Sequence, residues 1–124
     1  MAAFCGAALW MTDSLVRRSI AMPENSLRIL TVPLPAANDV MFYERAIVVA
    51  GAGGLTVLSA KCPHLGCRIN GTEGGDLVCP CHASRFRLNG ELLHGPARRG
   101  LTPLPFAVDA AAGVVHITLK NEVA

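Results

Sequence analysis

Two short stretches constrain this chain more than anything else in it: Cys62-Pro63-His64-Leu65-Gly66-Cys67 and Cys79-Pro80-Cys81-His82. Each pairs a thiol with an imidazole at ligand spacing, and each adds a second thiol. Four donors of that kind complete a metal site and leave two cysteines over. Softness explains the mixture: thiolates suit zinc or iron–sulfur iron, and neutral imidazole suits zinc, copper, iron or nickel. Whatever the chain folds into must bring two separate loops together and hold them in fixed geometry.

A structural zinc site is the plainest alternative, since two Cys and two His are a common zinc set. Zinc motifs generally run C-x2–4-C and H-x3–5-H, whereas the order here is C-x-H and C-x-x-H. Cys-Pro-His-Leu-Gly-Cys followed by Cys-Pro-Cys-His-Ala-Ser resembles the two cluster loops of Rieske iron–sulfur proteins. The subtype it resembles is that of cytochrome bc-type complexes, in which each loop carries an extra cysteine. Gly95-Pro96-Ala97 resembles the proline loop that covers the cluster in that family. The likeness spans roughly residues 40 to 120.

The resemblance implies a [2Fe–2S] cluster with Cys62 and Cys79 on the inner iron and His64 and His82 on the outer iron through Nδ1. Cys67 and Cys81 would form a disulfide between the loops, which lowers the entropy of the opened state. Reduced, buried thiols are the alternative for that pair. Leu65, Gly66 and Pro96 would line the cluster. His82 would contact quinol and accept its proton, with His64 as the alternative exposed edge. Imidazole ligands place Rieske potentials at roughly −150 to +300 mV, above plant-type ferredoxins at about −400 mV. Ser84 stands where high-potential members carry a serine that donates to a bridging sulfide, or it is a plain loop serine bonding local backbone. Phe86 stands where they carry a tyrosine that reaches a ligand sulfur. One donor kept and one lost implies a potential in the middle of the family range. Ala83 replaces the usual glycine, with no obvious chemical consequence.

Five arginines, Arg68, Arg85, Arg87, Arg98 and Arg99, fall in or near these loops. They are read either as a basic rim that steers an acidic redox partner or as ordinary solvated surface. His94 and His116 read as surface or strand residues rather than ligands, and Cys5 is left unpaired.

At 124 residues the chain suggests one domain. A net charge of +2 is too mild to argue for nucleic acid, and 5% aromatic content offers no base-stacking platform. Charged residues make up only 16% of the chain and mean hydropathy is +0.41, which points to extra buried contact with a membrane or other subunits. A disulfide implies an oxidising compartment, so the expected location is a membrane, with the cluster domain on the periplasmic, positive side. Ala2 to Met11 is an apolar run too short for the ~20 residues of a bilayer span, and it lacks the positive n-region of a signal peptide. It resembles the far end of a membrane anchor, docked at the membrane or on a partner subunit, with Ser19 to Asn25 as tether.

After that segment the pattern is all β. Strands are expected at Leu27–Val32, Arg45–Ala50, Leu55–Ala60, Asp76–Val78, Arg85–Leu88, Glu91–Leu93, Phe106–Asp109 and Val114–Leu119. Asn70 to Gly75 reads as a turn, and Asn89-Gly90 suits a type I′ hairpin. The expectation is therefore an antiparallel all-β fold of the Rieske type. An N-terminal segment (1–25) would precede a [2Fe–2S] domain (26–124), with a cluster-binding subdomain at about 61–97. The function implied is a one-electron Rieske subunit of a quinol:cytochrome oxidoreductase, partnered by cytochrome b and a c-type cytochrome. The alternative is the small electron-transfer subunit of a molybdenum oxidase of the arsenite-oxidase kind. A free ferredoxin serving an oxygenase fits less well, because that class usually lacks the two spare cysteines.

Overall fold

The computed structural model describes residues 26–120, so the apolar run, Cys5 and the tether lie outside the described residues. Ile29–Leu119 form one compact unit. The described residues hold ten strands: β1 (Leu27–Pro33), β2 (Val40–Phe42), β3 (Ala46–Gly51), β4 (Gly54–Ser59), β5 (Thr72–Glu73), β6 (Asp76–Val78), β7 (Arg85–Phe86), β8 (Leu92–His94), β9 (Phe106–Asp109) and β10 (Val114–Lys120). They form three sheets, ordered β1-β10-β9, β2-β3-β4 and β5-β6-β7-β8. Every pairing whose register is defined is antiparallel. The all-β expectation holds. Among the described residues no helix is long and apolar enough to cross a membrane.

The sequence of β3, Ala-Ile-Val-Val-Ala-Gly, shows no alternation because both of its faces are buried. Ile47 and Val49 join one core with Leu58, Ala60, Cys62, Ile69, Leu77, Cys79, Phe86, Ala97 and Leu101. Ala46 and Val48 join a second core with Val32, Val57, Val115, Ile117 and Leu119. The register explains the division: Ile47 opposes Leu58 and Val48 opposes Val57, and opposed residues share a face. β2-β3-β4 is thus the middle layer. Strand β10, buried at every second residue, closes one side. The sheet that carries the second loop closes the other and shares its core with β3 and β4.

Three expectations change. Asn70 to Gly75 is not turn throughout, since Thr72–Glu73 pairs with β6 and only Gly74-Gly75 makes the bend. Strand β2, absent from the sequence reading, pairs with β3. The Asn89-Gly90 turn is not type I′, which needs positive φ at both residues. Gly90 has φ +92° and Asn89 does not have a positive φ. Arg87 C=O accepts from Gly90 N–H at 2.9 Å and Arg87 N–H donates to Glu91 C=O at 2.8 Å, a longer connection. A Cβ on Gly90 would lie 2.8 Å from Leu58 Cδ2 on a backbone of φ +92°, so the position favours glycine.

Candidate metal centre

Strand β4 leads into the first loop. Lys61 bridges Arg68, and Ile69 N–H donates to Ala60 C=O at 2.8 Å, which cinches the loop at its base. Inside it, Cys62 N–H donates to Cys67 C=O at 2.8 Å and Gly66 N–H donates to Cys62 C=O at 2.9 Å. The second loop, between β6 and β7, repeats the pattern. Cys79 N–H donates to Ser84 C=O at 2.9 Å and Ala83 N–H donates to Cys79 C=O at 3.0 Å. Gly66 and Ala83 hold the same place in their loops, and both have positive φ, +81° and +61°. The alanine therefore has a conformational consequence that its chemistry did not announce: an L-residue there costs about 1–2 kcal/mol.

Cys67 and Cys81 form a disulfide between the loops, leaving Cys62 and Cys79 as the free cysteines among the described residues, both buried. Burial pushes the Cys62 thiol up. The His64 backbone N–H and the Ser84 hydroxyl beside this sulfur pull the other way, while Cys79 next to it pushes up again. Two thiols thus lie side by side, and burial outweighs the nearby donors, so the net shift disfavours the bare Cys62 thiolate.

The imidazoles make the second pair. The rings of His64 and His82 lie edge to face with centroids 5.0 Å apart. Among the described residues no three Cys, His, Asp or Glu side chains gather as a ready site for one ion. The donors stand instead as thiol with thiol and imidazole with imidazole, the division a two-metal core needs. His64 Nδ1 is buried without a hydrogen-bond partner. An orphaned buried nitrogen is rare and calls for an explanation, and an electrophile between the pairs would supply one. It is the atom that the sequence reading assigns to iron.

The proline loop sits directly on the second loop. A Cβ on Gly95 would lie 2.4 Å from Ser84 Cα, and Gly95 has φ +122°, so both space and backbone demand glycine. This approach lets Ala97 N–H donate to Ser84 Oγ at 3.1 Å. Ser84 is the buried polar side chain among the described residues, at 0% exposure. Phe86 is fully buried in the core beneath the loops. Leu65 is 70% exposed, and His82 and Pro96 are exposed as well.

The arginines divide. Arg85 donates to Glu73 C=O at 2.7 Å and to Asp76 Oδ2 at 3.3 Å, and Arg87 pairs with Glu91. Arg68, Arg98 and Arg99 are exposed. Pro63, His64, Pro96, Arg98 and Arg99 line a cleft of about 380 Å³ that the sequence reading did not anticipate. The adjacent Arg98-Arg99 was its one visible trace. Of the other histidines, His94 is an exposed residue of β8, and His116 Nδ1 lies 2.9 Å from Thr31 Oγ1.

The profile of the Rieske [2Fe–2S] domain matches residues 28–105. The cytochrome b6-f complex iron–sulfur subunit of Chlorobaculum thiosulfatiphilum is 41% identical over 76 residues, covering 60% of this chain and 39% of that protein. The crystal structure of the plasma membrane Rieske protein of Synechocystis PCC 6803 is 31% identical with a TM-score of 0.50, covering 58% of this chain and 74% of that one. A quaternary ammonium Rieske monooxygenase of gut microbiota superposes with a TM-score of 0.59 at 20% identity, covering 88% of this chain and 35% of that one, a likeness of fold alone. The chain spans about two fifths or less of the length of the first curated relatives it matches.

Proposed function

The chain belongs to the Rieske [2Fe–2S] family, and from that premise we propose that it is the one-electron carrier of a membrane quinol-oxidising complex. Its cofactor is a Rieske-type [2Fe–2S] cluster. In this reading Cys62 and Cys79 hold one iron, and His64 and His82 hold the other. The observation that carries the reading is the sorting of these donors into a thiol pair and an imidazole pair, with His64 Nδ1 buried and unpartnered. The named relatives, subunits of cytochrome b6-f complexes, support the quinol-oxidising assignment.

When bound, the cluster supplies a one-electron couple at a potential raised by its imidazole ligands. The residues of the chain do the rest. Nδ1 of each histidine would hold the metal, which would leave Nε2 for a partner. His82, on the exposed side of the second loop, accepts a hydrogen bond from a quinol hydroxyl and takes its proton. Ser84 and the His64 backbone N–H donate to the Cys62 sulfur and favour the more negative, reduced state. Gly66, Leu65 and Pro96 shape the rim. Cytochrome b and a c-type cytochrome are the partners in this reading, and the interloop disulfide supports an oxidising compartment on the positive side of the membrane.

The test is purification of the native complex. A companion cytochrome b, with iron and inorganic sulfide in equal amounts and an EPR signal after reduction, is the expected result. A molybdopterin-bearing companion overturns the quinol assignment, and zinc in a colourless protein overturns the cluster.

A further inference from the structure

We infer that the cleft beside His64 is the docking site for a carboxylate-rich surface of a protein redox partner, with Arg98 and Arg99 as its anchors. The inference rests on the electron-carrier reading and adds the chemistry of the partner and the side of the tip it uses. Of the five arginines around the loops, two are neutralised within the fold: Arg85 by Glu73 and Asp76, Arg87 by Glu91. Arg68, Arg98 and Arg99 carry no ion pair among the described residues. The acidic side chains of the loop sheet are therefore engaged with Arg85 and Arg87, and the bare positive charge is left on Arg68 of the first loop and on Arg98 and Arg99 beside the proline loop. Two of the three bare arginines line one cleft with His64, Pro63 and Pro96.

The lining has the makeup of a recognition surface. Arginine is enriched at protein interfaces. Guanidinium groups take carboxylates in bidentate pairs. At about 380 Å³ the cleft stands at the small end of ligand-sized sites, suited to protruding side chains rather than a folded segment. Leu65, 70% exposed at the tip, gives the docked surface an apolar contact. The chain as a whole is only +2, so the attraction is local to this cleft. Docking here seats the partner against the edge of His64 and leaves His82 to quinol.

The experiment uses the full chain with its cluster loaded and a fluorescein-labelled glutamate-rich peptide as probe, followed by anisotropy at low and high salt. Arg98→Gln with Arg99→Gln is compared with Arg28→Glu, which alters net charge by the same amount on exposed β1. The expected result is binding that weakens with salt, about tenfold weaker in the double variant, and within twofold of the parent in Arg28→Glu. Equal loss in both variants shows attraction to net charge alone and overturns the inference. So does binding of phosphatidylserine-containing vesicles, but not the peptide, with the same arginine dependence, which would make the surface a membrane contact. Visible absorbance and midpoint of the double variant check that the cluster is intact. Protein that never takes up iron and sulfide sinks the carrier reading, whereas loaded protein indifferent to the peptide sinks the docking inference alone.

Discussion

The backbone N–H of Ala97 donates to Ser84 Oγ across 3.1 Å, and this bond decides where the serine proton goes. With one lone pair of the hydroxyl taken up by that donor, its proton is free for the Cys62 sulfur beside it. In the proposed reading the proline loop would act on the cluster at one remove, by aiming a donor. Ser84→Ala should lower the reduction midpoint by about 60–120 mV, the electrical equivalent of roughly 1.5–3 kcal/mol for a hydrogen bond to a charged group. Protein-film voltammetry measures it, and an unchanged midpoint would show that the hydroxyl serves the backbone only.

Phe86→Tyr tests the other tuning position. Phe86 is fully buried beneath the loops and pairs with Leu77 across β6 and β7. A hydroxyl added there that reaches a ligand sulfur adds a donor to the reduced state, so the midpoint should rise by about 20–60 mV, the value of one ordinary hydrogen bond. A fall, or no change with a lower melting temperature, would mean that the new hydroxyl is buried unpaired.

Gly95 is the hinge on which the aim of Ser84 depends. Any Cβ at this position meets Ser84 Cα at 2.4 Å, on a backbone of φ +122°. Gly95→Ala must push the proline loop off the second loop. It should cost about 2 kcal/mol or more and lower the midpoint toward that of Ser84→Ala. Thermal melting and a redox titration on the same sample check both. A melting temperature within a degree of the parent would show that the loops part without cost.

These effects mark how far the sequence speaks. The candidate ligands were legible as residue types: Cys62, His64, Cys79 and His82 stand out by kind and spacing. Most strands were legible too, by β-branched runs between glycines. Thr72–Glu73 was not, because two polar residues carry no period and only pairing with Asp76-Leu77 makes them a strand. The Asn89-Gly90 pair reads as a two-residue turn, whereas the hydrogen bonds close wider, between Arg87 and Glu91, which the dipeptide alone does not show. The arginines read alike as letters. Their separation into paired Arg85 and Arg87 and bare Arg98 and Arg99 needs the tertiary neighbours.

Ala83 offers a gain rather than a loss. It matches Gly66 of the first loop in place and in positive φ, +61° against +81°. Ala83→Gly removes about 1–2 kcal/mol of left-handed strain and returns part of it as unfolded-chain entropy, about 0.4–1 kcal/mol. The net expectation is a stabilisation of about 0.5–1 kcal/mol, read as a melting temperature a few degrees higher, with an unchanged midpoint. A destabilised variant would show that the alanine methyl makes a contact worth more than its strain.

The disulfide between Cys67 and Cys81 closes a separation of 14 residues. A loop of that length restrains the opened state by about 3 kcal/mol. The backbone hydrogen bonds within each loop do not cross from one to the other, and across the gap the buried Cys62 has Cys79 and Ser84 of the second loop beside it. Cutting the covalent tie should therefore leave each loop formed but let them separate, taking the thiol pair from the imidazole pair. Cys67→Ser with Cys81→Ser should bleach in visible absorbance at least tenfold faster than the parent on warming. The far-UV spectrum of the sheets should persist until the cluster is lost. Equal bleaching rates would show that the metal core, and not the cystine, keeps the loops together.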